Sequence, residues 1–152
     1  MKSFIRAAAV ATTLSLTLGA GGAVHAQTAE RVYNNGPVWV ISYIETKTGM
    51  FDDYMAYLAS KWRETNEADK RAGVVLDYKV LQVDQPRDGE PDVILMIQYK
   101  NMAAFDRPLA ESEATSAKAF GSVVKSNQAF ADRNKIRTTR GGLSAREMVF
   151  IK

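Results

Sequence analysis

The chain has 152 residues, a formal charge of +3 and 46% hydrophobic residues, which predicts one domain with a sizeable core. It contains no cysteine, so disulfides, cysteine metal ligands and cysteine nucleophiles are excluded. The charge is too nearly balanced for a protein that binds nucleic acid, which usually requires a marked basic excess.

Residues 1–26 have the pattern of a cleavable signal peptide. Two positive residues precede the apolar run Ala7–Leu18, and Val24-His25-Ala26 places short residues where a signal peptidase reads the chain. The run is shorter than the roughly 20 residues that span a bilayer, although an uncleaved anchor is the alternative. We therefore expect cleavage before Gln27, export to the periplasm or the medium, and no transmembrane anchor in the mature protein.

Cleavage would also remove much of the positive charge and the only histidine. Without Lys2, Arg6 and His25, the mature chain has 18 Lys and Arg residues against 17 Asp and Glu, a formal charge of +1. A chain without His or Cys lacks the ligands of a His-ligated haem or a common zinc site, and it cannot form a Ser-His-Asp triad. Glu111 and Glu113 alone are too few oxygen ligands for a metal. We expect no metal site and no cofactor.

The mature chain begins with a strand and a long helix. Gln27–Pro37 is polar and predicts a flexible lead-in to a single domain over residues 38–152. Val38–Glu45 is β-branched and aromatic and predicts a strand. Phe51–Gly73 predicts an amphipathic helix, which Gly73 ends by adopting a left-handed conformation. Its apolar stripe consists of Phe51, Tyr54, Met55, Leu58 and Trp62.

The rest of the chain predicts a hairpin, a second helical region and a last strand. In order, the segments are the strand Val74–Gln85, the turn Pro86–Pro91, the strand Asp92–Lys100, a helical turn at Met102–Asp106, a helix over Glu111–Asp132, and the strand Ala145–Ile151. This β-α-β-β-α-β order is that of the α+β, ferredoxin-like sandwich, with a four-stranded antiparallel sheet.

Such a sheet has both helices on one face, and its other face is predicted to be apolar as well. An apolar face of this size suggests a homodimer that buries one sheet against another. The alternative is a monomer in which the N-terminal segment or the Glu111–Arg140 region covers the face.

The element order, the helix sequence FDDYMAYLASKW and the apolar hairpin resemble the dimeric α+β barrel superfamily over nearly all of Val38–Ile151. Its EthD-like, NIPSNAP-like and antibiotic-biosynthesis monooxygenase groups are the relatives that this pattern is similar to. Together with the signal peptide, the pattern looks like that of small exported bacterial proteins. The resemblance implies a ligand cavity between the sheet and its helices. No catalytic motif of those groups matches here, so no catalytic residue can be assigned by resemblance.

Five aromatic residues are the first candidate ligand-binding site. They are Trp39, Tyr43, Trp62, Tyr78 and Tyr99. If they converge, they can line an apolar pocket with a few hydroxyl groups for a planar ligand. The alternative is an ordinary core in which large rings fill space.

Polar residues within the apolar strands are the second candidate site. Asp77 and Lys79 lie on one strand face and can act as an acid and a base if burial shifts their pKa values. Ser42 and Gln98 also interrupt apolar strands. The alternative is that these groups are solvated or lie at a subunit interface.

A basic run before Gly141-Gly142 is the third candidate site. It contains Arg133, Lys135, Arg137 and Arg140. Arginines beside a glycine-rich turn can hold a phosphate or carboxylate. Cations at a helix C-terminus also complement the helix dipole without any ligand.

Two functions follow from these features. The first is an exported, non-catalytic protein that binds a small apolar or aromatic ligand, or a protein partner, as a dimeric α+β barrel. The second is a cofactor-independent, oxygenase-like enzyme that acts in the aromatic pocket. The absence of His and Cys from the mature chain favours the first.

Overall fold

The strand-forming segments assemble into one antiparallel sheet in the computed structural model, which describes residues 31–151. The four strands are β1 (Tyr33–Thr46), β2 (Val75–Gln82), β3 (Val93–Tyr99) and β4 (Arg137–Phe150), in the spatial order β2-β3-β1-β4. Every neighbouring pair is antiparallel. The two long strands, β1 and β4, are neighbours, and β4 is an edge strand. The predicted ferredoxin-like arrangement of sheet and helices is confirmed.

The helices lie between β1 and β2 and between β3 and β4. They are α1 (Phe51–Tyr57), a π-helical turn (Leu58–Trp62), α2 (Arg63–Arg71), a 3-10 turn (Met102–Phe105), α3 (Leu109–Phe120) and α4 (Val123–Arg133). The first three are continuous and match the helix predicted over residues 51–73, with Gly73 at φ +73° after its end. Within the described part of the chain, no helix is both long enough and apolar enough to cross a membrane.

The π-helical turn coincides with side chains that hydrogen-bond to backbone carbonyls one turn earlier. Asn66 Nδ2 donates to the Trp62 carbonyl at 2.8 Å, and Thr65 Oγ1 donates to the Lys61 carbonyl at 2.9 Å. Ser60 Oγ does the same to the Ala56 carbonyl at 2.7 Å. Short polar side chains compete with backbone donors in this way, and π-helical turns within α-helices are frequent at functional sites.

The second helical region differs from the single helix predicted over Glu111–Asp132. It divides into α3 and α4 at Gly121, which has φ +87°. A residue in this left-handed conformation ends a helix, and glycine adopts it at the least cost. Ser122 then caps α4, since its Oγ accepts a hydrogen bond from the Lys125 backbone N–H at 3.1 Å.

Both ends of the sheet extend beyond the predicted strands. β1 begins at Tyr33, so residues 33–37 are part of a strand and not of a flexible lead-in. β4 begins at Arg137, well before the predicted Ala145, because the polar stretch of β4 pairs with β1 from Thr46↔Arg137 onward. Backbone pairing at the edge of a sheet does not require apolar side chains. The hydrophobicity pattern therefore predicted too short a strand. The predicted signal peptide and residues 27–30 lie outside the described residues.

The core lies between the sheet and the first helix. Ile44, Val93 and Leu95 of the sheet pack against Tyr54 and Leu58, and all five are buried. Because strand side chains alternate between faces, the residues between these positions project to the other face of the sheet. That face carries a contiguous set of apolar residues, which we call the open face: Trp39, Ile41, Tyr43, Leu81, Ile94, Met96 and Leu143.

Candidate functional site

The five predicted aromatic residues lie on two opposite faces of the sheet. Ile44 and its partner Val93 are in the helix-covered core, so the preceding Tyr43 lies on the open face. Trp39 lies on the same open face, where the Lys79 ammonium is 5.4 Å from its ring centroid. The structure therefore does not bring Trp39 and Tyr43 together with Trp62.

The other three aromatic residues lie on the helix-covered face and make separate contacts. Trp62 meets Tyr78 edge to face, with ring centroids 5.2 Å apart. The Tyr78 hydroxyl donates to Glu67 Oε1 at 2.6 Å, and this hydrogen bond raises the pKa of Tyr78. Tyr99 packs against Phe105 at 4.8 Å. Of the predicted set, only Trp62 lines the cavity described next.

A cavity of about 250 Å³ lies between the sheet and the helices. We call it the tyrosine–arginine cavity. Its aromatic walls are Tyr54, Tyr57, Trp62 and Phe130. The sheet side is formed by Ser42, Ile44 and Leu95, and the remaining wall by Arg133, Arg137 and Thr139. Most of the lining is apolar, and two guanidinium groups supply the positive charge.

The first helix positions the tyrosines. Tyr54 and Tyr57 are three residues apart on one helix face, and their rings stack at 6.0 Å. Burial raises the pKa of Tyr54 to about 12 and also raises the pKa of Tyr57. Both phenols therefore stay protonated at neutral pH.

The two arginines come from the end of α4 and the start of β4. The Arg133 guanidinium lies 4.6 Å from the Tyr57 ring centroid, and the Arg137 guanidinium lies 5.9 Å from that of Tyr54. Both lie close to the Phe130 ring, at 5.3 and 5.5 Å. Cation–π contacts of this kind contribute about 0.5–2 kcal/mol each, with the larger values at desolvated sites.

Both guanidinium groups also carry buried nitrogen atoms without a hydrogen-bond partner among the described residues. These atoms are Arg133 Nη1 and Arg137 Nε, while Arg137 Nη1 donates to Thr139 Oγ1. Leaving a buried donor unpaired costs about 1–3 kcal/mol, and more for a charged group. These two nitrogens are therefore buried at a free-energy cost, while the arginine side chains that carry them line the cavity.

A second, more open groove of about 380 Å³ adjoins the tyrosine–arginine cavity. Tyr57 and Arg133 line both, so these two side chains form the wall between them. Asp132 lies in the groove, where its carboxylate pairs with Lys135 at 2.7 Å.

The predicted polar residues do not form one acid–base site. Asp77 accepts from Lys70 Nζ at 3.4 Å, whereas Lys79 lies over Trp39. Ser42 lines the tyrosine–arginine cavity. Gln98 donates to Glu147 at 3.4 Å. Within residues 31–151, no group of three or more His, Cys, Asp and Glu residues is placed to hold a metal ion.

The basic run separates into paired and unpaired cations. Arg140 binds Glu45 at 2.5 Å and Lys135 binds Asp132, both at the surface. Arg133 and Arg137 instead line the cavity. The basic run was predicted either to hold an anion as one site or to complement a helix dipole. In the structure, only Arg133 and Arg137 of the run line the cavity. Tyr54, Tyr57 and Phe130 were not predicted as site residues. The only signal was the position of Tyr54 on the apolar helix stripe.

Comparisons with known proteins add information about the fold. No protein-family model matches the chain, and no curated protein matches it. Among solved structures, it is similar to HapK from Hahella chejuensis, with 11% identity and a TM-score of 0.50 over 72% of this chain and 91% of that one. It is similar to protein SO0527 from Shewanella oneidensis, with 18% identity and a TM-score of 0.50 over 77% and 96%.

These similarities agree with the strand order and the placement of the helices. The chain has a ferredoxin-like α+β fold. A dimeric ferredoxin-like protein from an uncultured marine organism is also similar, with 16% identity and a TM-score of 0.40 over 76% of this chain and 98% of that one. At these identities the similarities concern the fold alone.

Proposed function

We propose that this protein binds a small, mostly apolar or aromatic molecule in the tyrosine–arginine cavity. The observation that carries the proposal is the cavity itself, with four aromatic side chains around about 250 Å³ of space. Ligand pockets are typically apolar concavities with a few polar groups, commonly of about 300–1,000 Å³. The small volume favours a compound with one or two rings.

The position of the cavity supports membership of the dimeric α+β barrel superfamily, near its EthD-like, NIPSNAP-like or antibiotic-biosynthesis monooxygenase groups. The resemblance implies a ligand between sheet and helices, and the cavity lies there. The oxygenase-like alternative has less support. The described lining contains no carboxylate to act as a base, and burial keeps the phenols of Tyr54 and Tyr57 protonated.

The binding test uses 2-naphthamide, a neutral two-ring probe, and the two tryptophans as reporters. In the Trp39→Phe variant, Trp62 remains as the only tryptophan and lies at the cavity. We expect the addition of 2-naphthamide to change the fluorescence of Trp62 in a saturable manner. In the matched Trp62→Phe variant, Trp39 reports from the open face and is expected not to respond. A dissociation constant of about 1 mM corresponds to about 4 kcal/mol of binding free energy. If the fluorescence of Trp62 shows no saturable change up to this concentration of 2-naphthamide, the proposal is contradicted.

We further propose that the working unit is a homodimer joined through the open face. The open face is a partly exposed apolar surface that spans all four strands, and such a surface is typical of an interface. In the native protein, Ile41→Glu would place an unpaired charge at the centre of this interface and weaken dimerisation by about 100-fold or more. Val124→Glu, on the exposed side of α4, is the control. Sedimentation velocity measures the oligomeric state of both variants and of the wild-type protein. A wild-type protein that is monomeric at micromolar concentration would contradict the proposed dimer.

We also propose that the protein is exported and that residues 1–26 are cleaved as its signal peptide. It rests on the pattern of the n-region, the apolar run and the cleavage triplet. N-terminal sequencing of the protein from the periplasmic fraction or the medium is expected to begin at Gln27. A cytoplasmic protein that keeps Met1–Ala26 would contradict it.

A further inference from the structure

The charge of the tyrosine–arginine cavity indicates more about its ligand than the cavity's shape does. Arg137 is only 6% exposed, yet its Nε atom has no hydrogen-bond partner among the described residues. Arg133 Nη1 is buried without a partner in the same wall. Two cationic side chains thus line one small, mostly apolar cavity.

Nearby cations show that this arrangement is specific to the cavity. Arg140, three residues after Arg137, pairs with Glu45 at 2.5 Å, and Lys135, between the two arginines, pairs with Asp132 at 2.7 Å. By contrast, no Asp or Glu oxygen of residues 31–151 lies within 4 Å of the Arg133 or Arg137 guanidinium nitrogens. Buried cations in proteins are usually paired with an anion.

The aromatic contacts of the arginines leave their charge uncompensated. Both guanidinium groups lie within 5.5 Å of the Phe130 ring centroid, and the ring carries no net negative charge that could pair with them. Burial, together with the charge of Arg137, lowers the pKa of Arg133. An anion in the cavity would relieve this repulsion and accept hydrogen bonds from the guanidinium groups that line it.

We infer that the ligand of the cavity is an aromatic or apolar carboxylate, whose carboxylate group is held by Arg133 and Arg137. The inference rests on the proposed binding function. The guanidinium fork matches a carboxylate in size and geometry. The ring system of the ligand contacts the apolar part of the lining, which includes Trp62, Ile44 and Leu95.

The test compares two probes of nearly equal shape on the native protein: 2-naphthoate, which carries a carboxylate, and 2-naphthamide, which does not. Isothermal titration calorimetry at low salt measures both affinities. We expect 2-naphthoate to bind at least about tenfold more tightly, which corresponds to about 1.4 kcal/mol. Equal affinities would overturn the carboxylate assignment and leave the binding function intact. If the folded protein binds neither probe, the proposed function itself fails.

Variants within the basic run locate the effect. Arg137→Gln and Arg133→Gln are expected to reduce the preference for 2-naphthoate over 2-naphthamide to less than about threefold. Arg140→Gln, the same substitution at a surface-paired arginine, is expected to preserve the preference. If Arg140→Gln abolishes the preference as well, general surface charge explains it and the inference is wrong.

Arg137 is buried, so folding of its variants is checked by circular dichroism. Arg137→Lys keeps the charge but not the fork and is expected to retain part of the preference. If neither Arg137 variant folds, the test relies on Arg133→Gln and on the ratio of the 2-naphthoate and 2-naphthamide affinities of the wild-type protein. A wild-type ratio near one overturns the inference without any variant. A ratio unchanged in Arg133→Gln overturns the shared role of the two arginines.

Discussion

The two helical halves that cover the sheet are packed very differently. The first half, α1 through α2, contributes the buried Tyr54 and Leu58 to the core and also buries Asn66. The second half, α3 and α4, lies wholly within the described residues and contains no buried residue. The tyrosine–arginine cavity lies where these halves meet over the sheet. The difference indicates that one half holds the fold together and the other closes the site.

Matched leucine substitutions test whether the first half contributes more to stability than the second, and they have the largest expected effect on the free energy of unfolding. Leu58→Ala removes a side chain that is 2% exposed in the core and is expected to lower the free energy of unfolding by about 2–5 kcal/mol. Leu109→Ala, at the start of α3, removes a side chain that is 72% exposed and is expected to cost less than about 0.5 kcal/mol. Urea unfolding measures both. Similar losses in the two variants would show that the halves contribute equally to stability.

Alkaline pH tests the buried tyrosine of the first half. Because the pKa of Tyr54 is raised to about 12 in the folded protein from 10.0, the unfolded state loses its proton first as pH rises. Stability from Tyr54 is therefore fully present below pH 10 and is lost between pH 10 and 12, by about 1–3 kcal/mol. Tyr54→Phe should flatten this loss in urea unfolding at pH 9 to 11.5. An unchanged slope in Tyr54→Phe would assign the loss to other groups.

The junction between α3 and α4 is expected to show a smaller effect. Gly121 has φ +87°, so Gly121→Ala forces a β-carbon into a left-handed conformation and should cost about 1–2 kcal/mol. Gly121→Asn is the control, because asparagine tolerates this conformation better and should cost less. Hydrogen exchange resolves whether the loss is confined to α3 and α4, as their shallow packing predicts. If protection falls equally in α1, the two halves unfold together.

Local sequence features predicted the first half of the molecule well. The stripe from Phe51 to Trp62 repeats with the helical period, and Gly73 ends the helix because of its left-handed conformation. The same reasoning did less well in the second half. One helix was predicted over Glu111–Asp132, whereas Gly121 separates two helices there. A single glycine is compatible with either outcome, and packing against the rest of the fold decides between them.

The candidate site was less predictable because its residues come from distant segments. The five predicted aromatic residues divide between two sheet faces, and only Trp62 reaches the cavity. The register of the strands and the alternation of their side chains assign Trp39 and Tyr43 to the open face. Arg137 was predicted within a basic run that either holds an anion or complements a helix dipole, and its position as the first residue of β4 buries it.

The order of the elements, the ends of the first helix and the absence of cysteine chemistry follow from the amino-acid sequence alone. These properties depend on composition, periodicity and neighbouring residues, which act locally along the chain. Only the tertiary structure decided where β4 begins, which side chains share the cavity, and that Arg133 and Arg137 lie there while Arg140 is paired at the surface. Burial and ion pairing arise from contacts between segments that are far apart in sequence, and no local pattern specifies them.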